Sequence, residues 1–285
     1  MRWPRLFQNL FAPALCLVAV GFCARWGSAQ DDPASTQARL SADITALTQY
    51  PSRVAGTPGN AAAARYMATR FKALGLTSVR TDNYTVTAPV TKWAYLTVAG
   101  QKLKVYPVYP NHVVPSTTPV GGITAPLVYA GAGRPVDFNG QVVKGSIVAL
   151  DFNSGMNWIT AGDMGARAIL FLEPSTTDRG QAERKFAVLP VEMPRYYVTG
   201  AAAAAVRAQG ARISAAIKAG HAAPRVPVTV DSRVEWDRVP VGNVLGFLAG
   251  SNPPQGQTPR PNTVIVSGYF DSMSVVPDLA PGAEA

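Results

Sequence analysis

The pattern of apolar and polar positions divides the chain into stretches of helical period and stretches that read as strands. From Thr36 onward, Leu40, Ile44 and Leu47 recur near a 3.6-residue period and predict a helix that ends before Pro51. Ser52 to Gly59 is a loop bracketed by Pro51 and Pro58. A second helix is predicted over Asn60 to Leu74, with Tyr66, Met67, Arg70, Phe71 and Leu74 along one side and Gly75 as its C-cap. Val79 to Val90 alternates like a strand, and Trp93 to Val98 and Leu103 to Val108 add two more around a hairpin turn at Ala99-Gly100.

Near Tyr109 the texture changes to short strands punctuated by Gly and Pro: Leu127 to Tyr129, Ser146 to Leu150 and Ala168 to Leu172. Helices are predicted over Trp158 to Met164 and Gly200 to Gln209, which gives a small strand-rich module with helical cover. Longer strands return at Val226 to Val230, Val241 to Leu248 and Thr263 to Tyr269, the last preceded by a connector, Ser251 to Pro261, with four prolines. The run Thr263-Val264-Ile265-Val266-Ser267 is apolar without alternation. That pattern predicts a strand buried on both faces in the middle of a mixed or parallel sheet. With so central a strand so close to Ala285, the chain reads as the N-terminal part of a longer protein.

Residues Met1 to Ala29 read as a secretory signal: Arg2 and Arg5 are the positive segment, Leu10 to Phe22 the apolar one, and Gly27-Ser28-Ala29 a cleavage site. The competing reading is a retained single-pass anchor, for which the apolar run is short. Both cysteines, Cys16 and Cys23, fall inside this segment. The mature chain is therefore expected to carry no disulfide, thiolate zinc site or cysteine nucleophile.

Composition narrows the classes. A chain of 285 residues holds one large domain or two ordinary ones, and 47% hydrophobic against 15% charged residues excludes intrinsic disorder. The net charge of +9 raises nucleic acid as a partner, but the cations are dispersed, and Arg184-Lys185 is the one adjacent basic pair. Without a basic tract the expectation is a solvated basic surface, no nucleic-acid partner, and no membrane contact beyond the N-terminal segment.

Most candidate chemistry dissolves on inspection. No Gly-x-Ser-x-Gly elbow occurs, and the only possible bases for a serine triad are His112 and His221. Gly131-Ala132-Gly133 reads as a turn. Asp231, Glu235 and Asp237, flanked by Arg233 and Arg238, read as a solvated edge strand. The informative stretch is Val264 to Ser272 followed by Ala280-Pro281-Gly282-Ala283-Glu284: an apolar strand ending in polar residues, then a Pro-Gly turn carrying an acid. Ligand sites in open α/β sheets form at the carboxyl ends of strands, where a carboxylate suits a hard-oxygen or zinc ligand.

Three stretches together resemble the zinc aminopeptidases of clan MH, the group of bacterial leucyl aminopeptidase, glutamate carboxypeptidase II and the transferrin receptor ectodomain. Pro51 to Gly59 with its following helix resembles the opening of that fold. Leu127 to Pro174, through Val143 to Leu150 and Gly165 to Phe171, resembles a protease-associated (PA) domain. Asn243-Val244-Leu245-Gly246, the Pro-rich connector and Val264 to Asp271 resemble the strand pair that leads into the metal site.

The resemblance implies an α/β fold: an incomplete phosphorylase/hydrolase-like mixed sheet with helices, interrupted by an inserted strand-rich α+β PA domain. The expected boundaries are 1–29 for the signal, 30–112 and 226–285 for the peptidase-like domain, and 113–225 for the PA domain. It further implies that zinc is the cofactor of the complete family enzyme and a peptide or protein its substrate. The family's His-x-Asp stands here as Tyr269-Phe270-Asp271, so Tyr269 occupies a metal-ligand position and Asp271 the position that orients it. The family's Pro-Gly-Ala-Asp stands as Pro281-Gly282-Ala283-Glu284, which makes Glu284 the second ligand position. Both ligand positions are altered, and the remaining family ligands match nothing in this sequence. The expected function is that of a secreted or periplasmic zinc aminopeptidase-like protein, inactive as this chain. The alternative is a catalytically degenerate peptidase fold that binds protein or peptide.

Overall fold

The computed structural model describes residues 32–50, 52–111, 114–186, 192–249 and 263–279. The expected signal segment, Cys16, Cys23, His112, the Pro-rich connector and the Pro281–Glu284 turn lie outside the described residues. The chain divides into two compact units, Met1–Ala46 and Leu47–Ala285. What is described of the first is the body of helix α1 (Pro33–Thr48), which begins just after Asp32, whose carbonyl accepts from Thr36 N.

The second unit starts with helix α2 (Pro58–Ala73). Thr57 caps it by accepting from Asn60 N at 3.2 Å, Pro58 occupies the first turn, and Gly75 at φ +81° follows its C-terminus. The rest is an eight-stranded mixed sheet. Its strands are β1 (Thr77–Val98), β2 (Gln101–Lys104), β3 (Tyr106–Pro107), β4 (Ile123–Tyr129), β5 (Ile147–Asp151), β6 (Ala168–Leu172), β7 (Arg195–Val198) and β8 (Pro227–Phe247), in the order β2-β1-β8-β4-β5-β6-β7-β3. Strands β4 to β7 are parallel, and β3, β8, β1 and β2 join by antiparallel pairing. Helices α3 (Trp158–Asp163), α4 (Arg179–Glu183) and α5 (Gly200–Lys218) complete the unit.

Several elements expected as pieces are continuous. Val79–Val90 and Trp93–Val98 are one 22-residue strand, β1, and Val226–Val230 and Val241–Leu248 belong to the 21-residue β8. The two pair from Thr97↔Thr229 to Thr77↔Phe247, with a bulge between Thr91 and Trp93 that masks the period in the sequence. The last predicted helix runs to Lys218 rather than Gln209. Leu103–Val108 divides into β2 and β3, which lie at opposite edges of the sheet. The Ala99-Gly100 turn has φ of +49° and +77°, the two positive values that a two-residue hairpin needs.

Two core layers form on the faces of β5 and β6. Ile147, Ala149, Ala168, Leu170 and Leu172 pack with Ala202, Val206 and Ile213 of α5. Val148, Leu150, Ile169 and Phe171 pack with Trp158 and Ala161 of α3 and with Val275 and Val276 near the C-terminus. Both strands are apolar without alternation because both faces are covered. The sheet crosses both expected PA-domain boundaries: β8 pairs with β4 through Ile123↔Val230, and β3 pairs with β7 through Tyr106↔Tyr197.

Two cations lie in the interior rather than on the basic surface. Lys185 is 0% and Arg195 2% exposed. Lys185 Nζ donates to Gly155 O at 2.6 Å and sits 5.1 Å from the ring centroids of both Phe152 and Phe171. The Arg195 guanidinium donates to Lys185 O at 2.6 Å and Tyr109 O at 3.0 Å, 4.7 Å from the Trp158 ring. Carbonyls and aromatic faces take the place of water around both.

Burial, with Arg184 and Arg195 nearby, lowers the Lys185 pKa from 10.5 to about 8. Between pH 8 and 10 the unfolded chain then binds more protons than the folded one, so folding stability rises with pH across that window by about 2 kcal/mol. Above pH 10 this is opposed by the Tyr197 phenol, which burial and Glu173 push up to about 12. Urea denaturation at a series of pH values should show the rise in the native chain and lose it in Lys185→Met.

Candidate functional site

The apolar run that reads as a buried central strand is not one. Thr263 to Tyr269 lies in no strand and is exposed throughout, Val266 at 92% and Tyr269 at 99%. An apolar run becomes a buried strand only where neighbouring strands cover its edges and helices its faces, as they do for Ile147–Asp151. No described strand pairs with Thr263–Tyr269. Past this exposed portion the chain re-enters the fold: Tyr109 N donates to Val275 O at 2.8 Å, and Val275 and Val276 are buried against the Trp158 layer.

The turn into the fold is made at Phe270 to Ser272, against the loop that precedes α2. Arg53 Nε donates to Phe270 O at 3.0 Å, and Arg53 N donates to Ser272 Oγ at 3.1 Å. Ser272 N in turn donates to Arg53 O at 3.2 Å. Arg53 also reaches Leu47 O at 2.9 Å, and Asn60 Nδ2 at the start of α2 donates to Arg53 O at 3.2 Å. Two of the three family-like stretches, Pro51–Gly59 and Val264–Asp271, thus meet across more than two hundred residues of sequence.

Of the predicted site residues, the ligand position Tyr269 and the orienting Asp271 stand exposed on this segment, and the other ligand position, Glu284, lies outside the described residues. Among the described residues no three His, Cys, Asp or Glu side chains converge. Tyr269 and Asp271 alone do not make a closed metal site. His221 is exposed in the turn after α5. Glu235 and Asp237 of β8 are paired with cations: Lys92 Nζ lies 2.5 Å from Asp237 Oδ2 and 4.0 Å from Glu235 Oε2, and Arg233 Nε lies 2.8 Å from Glu235 Oε1, while Asp231 Oδ1 accepts from Trp93 Nε1 at 3.3 Å. Exposed pairs of this kind contribute little to stability.

One concavity was not anticipated. An open crevice of about 510 Å³ at the carboxyl ends of β5 and β6 is lined by Asp151, Asn153, Glu173, Pro174, Ser175 and Arg207. Arg207 pairs with Asp151 Oδ1 at 3.3 Å and donates to Glu173 O at 2.7 Å. Glu173 Oε2 accepts from Gly200 N, the opening residue of α5, at 3.1 Å. Its signal in the sequence is an acid directly after each of two apolar runs, Asp151 after Leu150 and Glu173 after Leu172. Its charged groups largely satisfy one another.

No protein-family model and no curated protein matches the chain. Among solved structures it is similar to an aminopeptidase from Aneurinibacillus sp. strain AM-1 (20% identity, 83% of this chain, 53% of that one, TM-score 0.45). It is also similar to a zinc aminopeptidase from Bacillus subtilis (18% identity, 74% and 46% covered, TM-score 0.48) and a peptidase M28 precursor from Shewanella amazonensis (15% identity, 71% and 48% covered, TM-score 0.43). The chain spans about half the length of each. At such scores the likeness fixes neither family nor function.

The exposure of Ile265 has a direct consequence. Ile265→Lys should change stability by less than about 0.5 kcal/mol, the range for exposed positions. Leu170→Lys, at a superficially similar apolar run in β6, should prevent folding by burying an unpaired charge. Thermal melts of the two variants make the comparison.

Proposed function

We propose that this chain is the N-terminal portion of an exported zinc-dependent aminopeptidase-like protein acting on peptides, with a PA-type module over residues 113–225. The observation that supports it most is the presentation of Tyr269 and Asp271. Both side chains face solvent on an extended segment, while the chain between and after them is held inward at Phe270 O and Ser272. These are the positions at which the motif resemblance puts a metal ligand and its orienting carboxylate.

Tyr269 favours a second reading, a peptidase fold kept for binding. A phenol is a poorer zinc ligand than imidazole. Two measurements separate the readings. The 285-residue chain is expected to release no amino acid from aminoacyl p-nitroanilides with or without zinc, and zinc-dependent release would contradict this. Tyr269→His is expected to raise zinc affinity at least about tenfold by calorimetry, and Tyr269→His/Asp271→Ala to lose the gain, by the orienting effect of an outer-shell carboxylate. No zinc uptake in Tyr269→His would count against the peptidase reading.

A further inference from the structure

The loop Ser52–Gly59 is built around one residue. Thr57 Oγ1 donates to Val54 O at 2.7 Å and caps α2 through Asn60 N. The chain folds back so tightly that a Cβ on Gly59 would lie 1.9 Å from Ser52 O, which no side chain tolerates. This closure buries Arg53, at 9% exposure, and aims both its backbone and its guanidinium at the C-terminal segment.

The accounting of that segment is one-sided. Among the described residues, every hydrogen bond made by Thr263 to Met273 ends on Arg53: Phe270 O, Ser272 Oγ and Ser272 N. The next anchor is Val275, through Tyr109. Arg53 also bonds to the backbone on either side of Asp271 and leaves that carboxylate exposed, without an ion pair among the described residues. A guanidinium that neutralised the carboxylate would remove it from chemistry. One that holds the flanking Phe270 carbonyl, while the Arg53 backbone amide donates to the Ser272 hydroxyl, fixes the position of the carboxylate and leaves it exposed.

We infer that Arg53 is the positioning residue of the Tyr269–Asp271 segment, and that the Pro51–Gly59 motif exists to form this clamp. The clamp fixes where the two side chains stand relative to α2. Its role in metal binding rests on the peptidase reading above.

Hydrogen–deuterium exchange on the 285-residue chain tests it. Arg53→Ala should speed exchange in peptides covering Gly268–Val276 about ten- to a hundredfold, the loss expected for hydrogen bonds from a charged group, and leave β5 and β6 unchanged. Millimolar guanidinium should restore part of the protection. Arg53→Lys, which keeps the charge without the Nε donor to Phe270 O, should give a smaller rise at the same peptides and decides the matter if Arg53→Ala does not fold.

Unchanged exchange in the segment, or an equal rise in β5 and β6 that guanidinium does not reverse, overturns the inference. In the Tyr269→His background, Arg53→Ala should also weaken zinc binding about tenfold, and an unchanged affinity overturns the positioning role. If the segment loosens while neither the native chain nor Tyr269→His takes up zinc, the clamp stands and the peptidase reading fails.

Discussion

The pairing of β1 with β8 is the constraint on which the rest of the second unit depends. It runs from Thr97↔Thr229, inside the core, to Thr77↔Phe247, beside α2. At the inner end Leu96, Val98, Val228 and Val230 are buried in the α5 layer and join the ribbon to β4. At the outer end Gly246 lies against Phe71 and Leu76, with no room for a side chain. A two-stranded ribbon is marginal by itself, so both ends need such anchorage. The ribbon carries α2 and the Arg53 loop at one end and the parallel strands at the other.

The parallel strands are closed over two buried cations. Arg195 on β7 bonds to the carbonyls of Lys185 and Tyr109, and the amide of Tyr109 holds Val275. That chain of contacts ties the edge of the sheet to the C-terminal segment, which Arg53 grips five and three residues before Val275, at Phe270 and Ser272. Asp271 therefore lies between the two residues that Arg53 holds, and Val275 beyond it is held through Tyr109. Desolvating Lys185 and Arg195 is costly, and satisfied donors with aromatic faces offset part of that cost.

The crevice at the ends of β5 and β6 and the exposed Tyr269 segment are different kinds of surface. In the crevice Arg207, Asp151 and the amide of Gly200 already consume much of the charge. On the segment, the Tyr269 hydroxyl and the Asp271 carboxylate stand exposed. A site that is to bind something must leave polar groups unsatisfied by the protein, and the segment meets that condition better.

The sequence by itself determined the α/β class, helices α1, α2 and α5 within a few residues at most ends, the Ala99-Gly100 hairpin, and the strands around Ile147–Leu150 and Ala168–Leu172. Each of these follows from local period, turn chemistry or capping. Only the tertiary structure decided that Val264–Val266 is exposed while the similar run in β6 is buried, because burial belongs to the neighbours of a strand. It alone also showed that Lys185 and Arg195 are interior, since composition counts charges without placing them. The meeting of Arg53 with Phe270 and Ser272 was equally beyond local reading: the two loops are separated by more than two hundred residues, and only the β1–β8 ribbon and the packing of Val275 bring them together.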